Sequence, residues 1–368
     1  MTLNLLTSSA QRSERTAAYL FLLPAAILLI VFSLIPFLSA LRLSFTNQPL
    51  VPQLLSDGTQ RPAEFVGLDN YSQLLRVELL TLEPEVGDDG QPVRDDNGDL
   101  VFPRARTILR GNEQYAGMSE LTQFDLFGTR HLLAASDPTW WRSLFNVLTF
   151  VVIVVPLQTS FALGLAMLVN QKIRASNFFR TVYFAPVVTS MAIVSVIWFF
   201  LYNPDQGFIN NFLSIFRIGP FQWLEHPASA MLSIILISIW QGVGFQMIIF
   251  LAGLQEIPEA LYEASALDGA NLWQQFRFVT LPSLRNTTIF VAISTTILAF
   301  KLFVQVDVMT FGRGGPEDAT ITPILHLVNE GFRGSQRVGY ASAIAVVFLL
   351  LVLAISLVQR RVLTEKEA

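Results

Sequence analysis

The side chains best suited to chemistry lie between residues 255 and 282, where polar groups interrupt two long apolar stretches. Four carboxylates and one guanidinium occur there, at Glu256, Glu259, Glu263, Asp268 and Arg277. These residue types favour either contacts with another protein or a solvated loop. The segment shows no pairing of a nucleophile with a base. Both interpretations stay open at this point.

The same stretch has the signals of two short helices. Pro258 suits a first helical position, and Glu259 next to it would lie at the positive end of the helix dipole. Gly269 suits the residue after the helix, because glycine adopts a left-handed backbone readily. A second helix is predicted from Leu272 to about Val279, ending near Pro282.

Small side chains would leave one side of the first helix nearly bare. They are Ala260, Ala264, Ser265 and Ala266. A helix–turn–helix with such a face allows the close approach of a partner protein. An ordinary solvated loop between two membrane spans is the alternative.

Several kinds of catalytic site are excluded by residue types. A phosphate-binding P-loop needs a lysine directly after a glycine, and none of the three lysines (Lys172, Lys301, Lys366) follows one. The chain has no cysteine, so disulfides and thiolate metal sites are excluded. Its three histidines are far apart in the sequence. The chain is therefore not expected to be an enzyme, and its scattered basic residues predict no nucleic-acid partner.

The elements that position these residues are predicted to be membrane helices. The chain has 368 residues, of which 52% are hydrophobic and only 14% charged. A spanning helix needs roughly 20 apolar residues. Six segments qualify: about 17–41, 144–169, 181–203, 229–254, 287–309 and 339–358. The first exceeds the length of a signal-peptide core, so we expect a retained span.

Basic residues predict the orientation of the spans. Ten lysines and arginines lie in segments that would be inside if both termini are cytoplasmic, against four in the short outside segments. The positive-inside rule therefore places both termini, and residues 255–282, in the cytoplasm. The predicted organisation is a tail (1–16), a first span (17–45), an external insertion (46–141), a five-span core (142–360) and a tail (361–368).

The insertion from 46 to 141 is acidic. Residues 87–102 predict a hairpin, because Asn97-Gly98 is a strong two-residue turn signal. Its carboxylates suggest calcium, but a loop counted from Asp95 puts Leu100 where the EF-hand requires glycine, so that site is rejected. No metal site is predicted.

Polar groups also occur within the predicted spans. Gln241 and Gln246 lie in the fourth, and Lys301, Gln305 and Asp307 in the fifth. Such groups are costly in lipid and should face the interior of the helix bundle. They indicate either helix–helix hydrogen bonds or a solute pathway.

The segment Glu263-Ala-Ser-Ala-Leu-Asp-Gly269, followed by Leu281-Pro282, resembles the EAA loop of importer-type ABC permeases. Further segments resemble carbohydrate-uptake permeases of the MalF type, namely Phe65–Tyr71, Asn177–Arg180, Trp240–Gly242, Gly314–Pro316 and Val338–Ala343. Ser265 and Val279 stand where that pattern usually has alanine and isoleucine. The resemblance implies a type I importer permease fold: an all-α membrane protein of six helices, with both termini inside.

The resemblance also implies which residues do what. The residues that would dock on the ATPase are Glu263, Ala264, Ser265, Asp268, Gly269, Ala270, Leu281 and Pro282. The residues that would line the substrate pathway are Val187, Met191, Ser238, Gln241, Gly242, Thr295, Ala299 and Leu302.

The implied partners are a MalG-type second permease subunit, an ABC ATPase dimer that binds ATP and magnesium, a periplasmic or lipid-anchored solute-binding protein, a sugar and membrane lipid. This chain itself would need no cofactor. The implied location is the cytoplasmic membrane of a bacterium or archaeon. Two alternatives remain from the residues: a self-sufficient transporter or channel that uses Lys301 and Asp307, and a membrane-anchored enzyme or sensor that uses residues 46–141.

Overall fold

The computed structural model of the chain is mostly helical, with one small β-sheet. The residues that it describes are 3–51, 62–87, 90–126, 129–171 and 176–364. They form two compact units. The first combines 1–72 with 330–346, and the second combines 73–329 with 347–368. Lys172 and Arg174, used above for the orientation, lie outside the described residues.

The first unit begins with one long apolar helix. α1 (Leu3–Leu29) continues through a π-helical turn (Ile30–Leu34) into α2 (Ile35–Leu43). Residues 3–16, predicted as a tail, are therefore helical and continuous with the first span. In the apolar part, Ala17–Leu43, none of the residues in the most hydrophobic 18-residue window is buried by the rest of the chain. Its side chains are free to contact lipid or another subunit.

A polar turn follows α2. Asn70, near the start of α3 (Asp69–Leu75), donates from Nδ2 to the carbonyl oxygens of Ser44 (2.8 Å) and Thr46 (2.9 Å). The hydroxyls of Tyr71 and Ser44 lie 2.6 Å apart. These bonds satisfy carbonyls that the end of α2 leaves without a helical partner.

The second unit contains the insertion, which has a small core of its own. β1 (Val77–Leu82), β2 (Ser119–Leu126) and β3 (Thr129–Ala135) form an antiparallel sheet in the order β1-β3-β2. α4 (Ala105–Gly111) packs against it. The buried side chains of this core are Leu82, Ala105, Leu109, Met118, Leu132 and Ala134.

The hairpin predicted over 87–102 is only partly present. The chain does reverse at Asn97-Gly98, where Gly98 has a φ of 86° and Asp95 accepts two backbone N–H bonds. Pairing on either side is limited to single bridges, such as Arg94 with Leu100. The regular strands lie elsewhere, where β1 and β3 share a buried core with α4. Asp88 and Asp89 lie outside the described residues.

The rest of the second unit is a helical bundle. Its helices are α5 (Pro138–Asn170), α6 (Ser176–Val188), α7 (Met191–Leu201), α8 (Phe208–Ser214), α9 (Pro227–Gln255), α10 (Glu259–Leu267), α11 (Leu272–Gln275), α12 (Leu281–Ser283), α13 (Arg285–Phe300), α14 (Val304–Met309), α15 (Pro323–Val328) and α16 (Val338–Thr364). The last begins in the first unit. α5 and α9 are the centre of the bundle, and α6 and α13 pack against them.

By length and composition, four helices of the described chain could cross a membrane, or six if each of two bent pairs is one span. The predicted third span is one of these pairs, since α6 and α7 meet at 97°. The predicted fifth span, 287–309, is also interrupted. α13 ends at Phe300, and Phe303 has a non-helical backbone before α14 begins. Both spans were predicted as continuous because apolar length does not report a bend.

Close packing of α6 on α9 depends on Gly244. A Cβ built there would collide with the backbone carbonyl of Tyr183, whereas one at Gly164 of α5 would meet nothing within 4 Å. We therefore expect Gly244→Val to destabilise the subunit by about 1–3 kcal/mol, as overpacked cores do. Thermal melting of the detergent-purified protein measures this. Gly164→Ala is the control and should melt no lower than wild type; equal melting of the two variants would contradict the assignment.

Candidate functional site

The polar loop that follows α9 contains a short, well-terminated helix. Pro258 lies at the N-cap of α10, one position earlier than predicted, because its ψ of 130° is extended. Gly269 ends the helix with a φ of 80°, as predicted. Its N–H bonds the Ala266 carbonyl (3.0 Å), and the Ala270 N–H bonds the Ser265 carbonyl (2.9 Å). This pair of bonds is a Schellman motif, which satisfies the last carbonyls of a helix.

A second helical segment begins at Leu272, three residues after Gly269. Asn271 and Gln274 form a capping box, each side chain accepting from the other residue's backbone N–H. The helix continues through a π-helical turn (Phe276–Thr280) and α12 to Ser283, and then bends by 67° into α13. It therefore passes through Pro282, where we predicted its end. Proline has no backbone N–H to donate to the preceding turn, and the wide π turn directly before α12 accommodates this loss.

Two hydrogen bonds fix the two helical segments to each other. The hydroxyls of Tyr262 in α10 and Thr280 lie 2.9 Å apart. Gln275 donates from Nε2 to the Tyr262 carbonyl at 3.4 Å. Because Thr280 is followed directly by α12 and α13, these bonds link α10 to a helix of the bundle.

The loop exposes an unusual amount of apolar surface. Leu267 is 90% exposed, Leu272 85% and Trp273 68%. Of the eight residues implied to dock on an ATPase, five are exposed (Glu263, Ala264, Asp268, Gly269, Pro282) and three are half-buried (Ser265, Ala270, Leu281). Exposed apolar side chains beside small ones are typical of a protein–protein contact. The docking role itself stays a prediction.

Seven of the eight residues implied for the substrate pathway line one cavity of about 330 Å³. They are Met191, Ser238, Gln241, Gly242, Thr295, Ala299 and Leu302. The cavity lies among α5, α7, α9, α13 and α14. The eighth residue, Val187, is near the end of α6 and is not among the lining residues.

Further polar side chains reach the same cavity. Gln158, Gln246, Lys301 and Gln305 line it, and Lys301 is the one charged residue in the described lining. Gln305 donates from Nε2 to Ser238 Oγ at 3.1 Å. Gln246 donates to Thr295 Oγ1. Four amides, which both donate and accept, are therefore among the polar side chains of an otherwise largely apolar lining.

Gln158 was missed by the sequence reasoning. It is an amide in the apolar middle of helix α5 and is 7% exposed. What identifies it is a contact in the folded structure: a Cβ added at Gly242 would collide with the Gln158 amide. That contact pairs residues 84 positions apart, so only the packing of α5 on α9 discloses it.

The breaks in two helices adjoin the cavity. Met191 is the first residue of α7, directly after the bend that follows Val188. Lys301 and Leu302 form the break between α13 and α14, and both line the cavity. Interrupted backbone is tolerated at membrane depth where it borders protein or water rather than lipid. Asp307, in contrast, is not among the lining residues.

A buried polar contact fixes the start of α5. Asp137 caps the helix by accepting from the Trp140 N–H (2.9 Å), and its other oxygen lies 2.7 Å from Nε2 of His326. Both side chains are less than 10% exposed. His326 thus has a structural contact that its isolated position in the sequence did not reveal.

The Gln246–Thr295 bond gives a stability prediction. Both residues are buried, so Thr295→Val should leave the Gln246 amide without this partner and destabilise the protein by about 1–3 kcal/mol. The double variant Gln246→Leu with Thr295→Val should lose less than the sum of the single changes. Thermal melting of all four forms measures the coupling, and strictly additive losses would contradict it.

Comparison with known proteins agrees with this geometry. Residues 132–364 match the family of binding-protein-dependent transport system inner membrane components. The chain is 35% identical over 263 residues to the lactose transport system permease protein LacF of Rhizobium radiobacter, covering 71% of this chain and 87% of LacF. It is 33% identical over 232 residues to the trehalose/maltose transport system permease protein MalF of Thermococcus litoralis, covering 63% and 77%.

A solved structure shares the fold. It is a bacterial alginate ABC transporter in complex with an alginate pentasaccharide-bound periplasmic protein, with a TM-score of 0.62 and 18% identity over 96% of this chain and 98% of that one. The implied permease fold is confirmed, with a small sheet in the insertion. The chain belongs to the inner membrane components of binding-protein-dependent transport systems, and it is a multi-pass permease subunit of an ABC importer.

Proposed function

We propose that this subunit forms half of the translocation pathway for a sugar, oligosaccharide or related polyol. The cavity among α5, α7, α9, α13 and α14 carries the proposal, because it gathers side chains suited to hydroxyl groups. Gln158, Gln241 and Gln305 each offer an amide donor and acceptor. LacF and MalF, by their names, transport lactose and trehalose or maltose.

The loop of residues 255–282 is the proposed coupling element. Its apolar residues Leu267, Leu272 and Trp273 would enter a cleft of a separate ATPase subunit, with Glu263 supplying a polar contact. That ATPase dimer, which binds ATP and magnesium, would supply the energy; this chain has no P-loop lysine.

Movement of the loop would reach the cavity through α13. The Tyr262–Thr280 bond holds α10 against the segment that continues into α13, and α13 contributes Thr295 and Ala299 to the cavity. ATP-driven closure of the ATPase dimer would therefore displace α13 with α10. The cavity would open alternately inward and outward as the two halves of the bundle rock, a rigid-body switch.

The remaining partners follow from the same proposal. A MalG-type second permease subunit would complete the pathway, and a periplasmic or lipid-anchored binding protein would deliver the solute. Uncovered side chains of Ala17–Leu43 would contact lipid or the second subunit. The complex would reside in the cytoplasmic membrane of a bacterium or archaeon, with the insertion outside.

We expect Gly269→Leu to abolish coupling. Leucine at a φ of 80° is strained, so the Schellman motif opens and the surface of α10 changes. Uptake by the reconstituted complex should fall to background, while membrane insertion and the melting temperature stay close to wild type. Gly98→Leu, at a φ of 86° in the external insertion, imposes the same local strain and should retain uptake. Normal uptake by Gly269→Leu would overturn the docking assignment.

Uptake of defined solutes tests the pathway. Proteoliposomes containing the complete transporter should accumulate at least one of lactose, maltose, trehalose and an alginate oligosaccharide when ATP is inside. Gln241→Leu should lower the uptake rate about tenfold, because a buried amide–hydroxyl bond is lost. Ser160→Ala, outside the described cavity lining, is the control. Flux through this chain alone, without the ATPase, would contradict the proposal.

A further inference from the structure

A second cavity lies at the other end of α7. It has a volume of about 480 Å³ and is separate in its lining from the first. Its walls are the end of α7 (Phe199, Tyr202), the turn at Asn203 and Pro204, the segment before α9 (Leu224, Glu225) and residues 309–316. The distribution of arginines predicts that these connections face the outside. Cavities of this size hold small organic ligands.

The lining combines aromatic faces with polar groups of both charges. The rings of Phe199 and Phe311 meet edge to face, with centroids 5.2 Å apart and planes at 82°. Phe311 is nevertheless 72% exposed. Arg313 and Glu225 lie in the same lining and are also exposed. A saccharide matches this set, since its C–H face packs on an aromatic ring while its hydroxyls bond a guanidinium and a carboxylate.

The segment that carries Phe311 and Arg313 is held in a strained conformation. Phe311 has a φ of 53°, which is costly for an aromatic residue. Thr310 Oγ1 accepts from the Gly314 N–H at 3.0 Å, and Asn329 donates to the Gly312 carbonyl at 3.0 Å. These bonds fix the backbone of the segment that carries the ring and the guanidinium.

The two cavities lie in series along the same two packed helices. α7 borders the inner cavity at Met191 and the outer one at Phe199, about 12 Å further along at 1.5 Å per residue. α14 contributes Gln305 to the inner cavity, and Thr310 directly after it lines the outer one.

Apolar side chains occupy the space between them. Val194 of α7 and Val306 of α14 belong to one buried cluster and are 3% and 0% exposed. In this conformation, the outer cavity is therefore closed off from the inner one by packed side chains, and a solute in the outer cavity would wait until α7 and α14 separate.

We propose that the outer cavity is a saccharide-binding subsite that the solute occupies before it reaches the inner cavity. This rests on the proposed function. Phe311 provides the stacking surface, and Arg313 and Glu225 bond the hydroxyl groups. The subsite contributes to selection among saccharides before the bundle rearranges.

The test uses the complete transporter in proteoliposomes, with lactose, maltose and trehalose as probes in the presence of the binding protein. Phe311→Ala and Arg313→Gln should each raise the half-saturation concentration about tenfold and leave the maximal rate nearly unchanged, because they weaken initial binding only. Phe311→Trp should restore the wild-type value, since it retains a ring. Phe216→Ala and Arg217→Gln, exposed residues outside the lining, are the controls.

A second measurement detects binding directly. Saturation-transfer NMR on the purified complex without binding protein should show contact with the transported sugar, and Phe311→Ala should remove most of that signal. Wild-type half-saturation in Phe311→Ala and Arg313→Gln, with uptake intact, would overturn this subsite alone. Equal effects in the controls would also overturn it. No uptake of any probe by the wild-type complex would instead count against the proposed function.

Discussion

The constraint on which this structure depends is that backbone polar groups within a membrane must be satisfied by the protein itself. Most of the chain meets it with long helices, such as α5 and α9. Where the helices break, after Val188 and at Lys301–Phe303, the open backbone lies beside protein and a polar cavity. The interruptions thus border the cavity.

Between the coupling loop and the cavity, the structure provides one mechanical connection. α10 is held by the Tyr262–Thr280 bond and by the bond from Gln275 to the Tyr262 carbonyl. The following segment bends at Leu284, which is fully buried, and becomes α13. A short element exposed at one end of the bundle is therefore joined without flexible linkers to side chains at its middle. This arrangement suits a subunit that receives its energy from a partner.

Along α7 and α14, two cavities with polar groups in their linings are separated by buried apolar side chains. Gln305 lies on one side of Val306 and Thr310 on the other. The barrier consists of buried side chains, Val194 of α7 and Val306 of α14 among them. A pathway built in this way can hold a solute at one level while it is closed at the next.

The sequence alone determined the membrane class, the number of apolar segments and the left-handed residue Gly269, because these follow from local composition and spacing. Most of the cavity lining was implied by the resemblance to MalF-type permeases, not by any local pattern. Tertiary structure decided the rest. The bends after Val188 and at Lys301 appear only in the folded bundle, because apolar length does not report them. The approach of Gln158 to Gly242, and of Asp137 to His326, joins residues far apart in the chain, which no local pattern encodes.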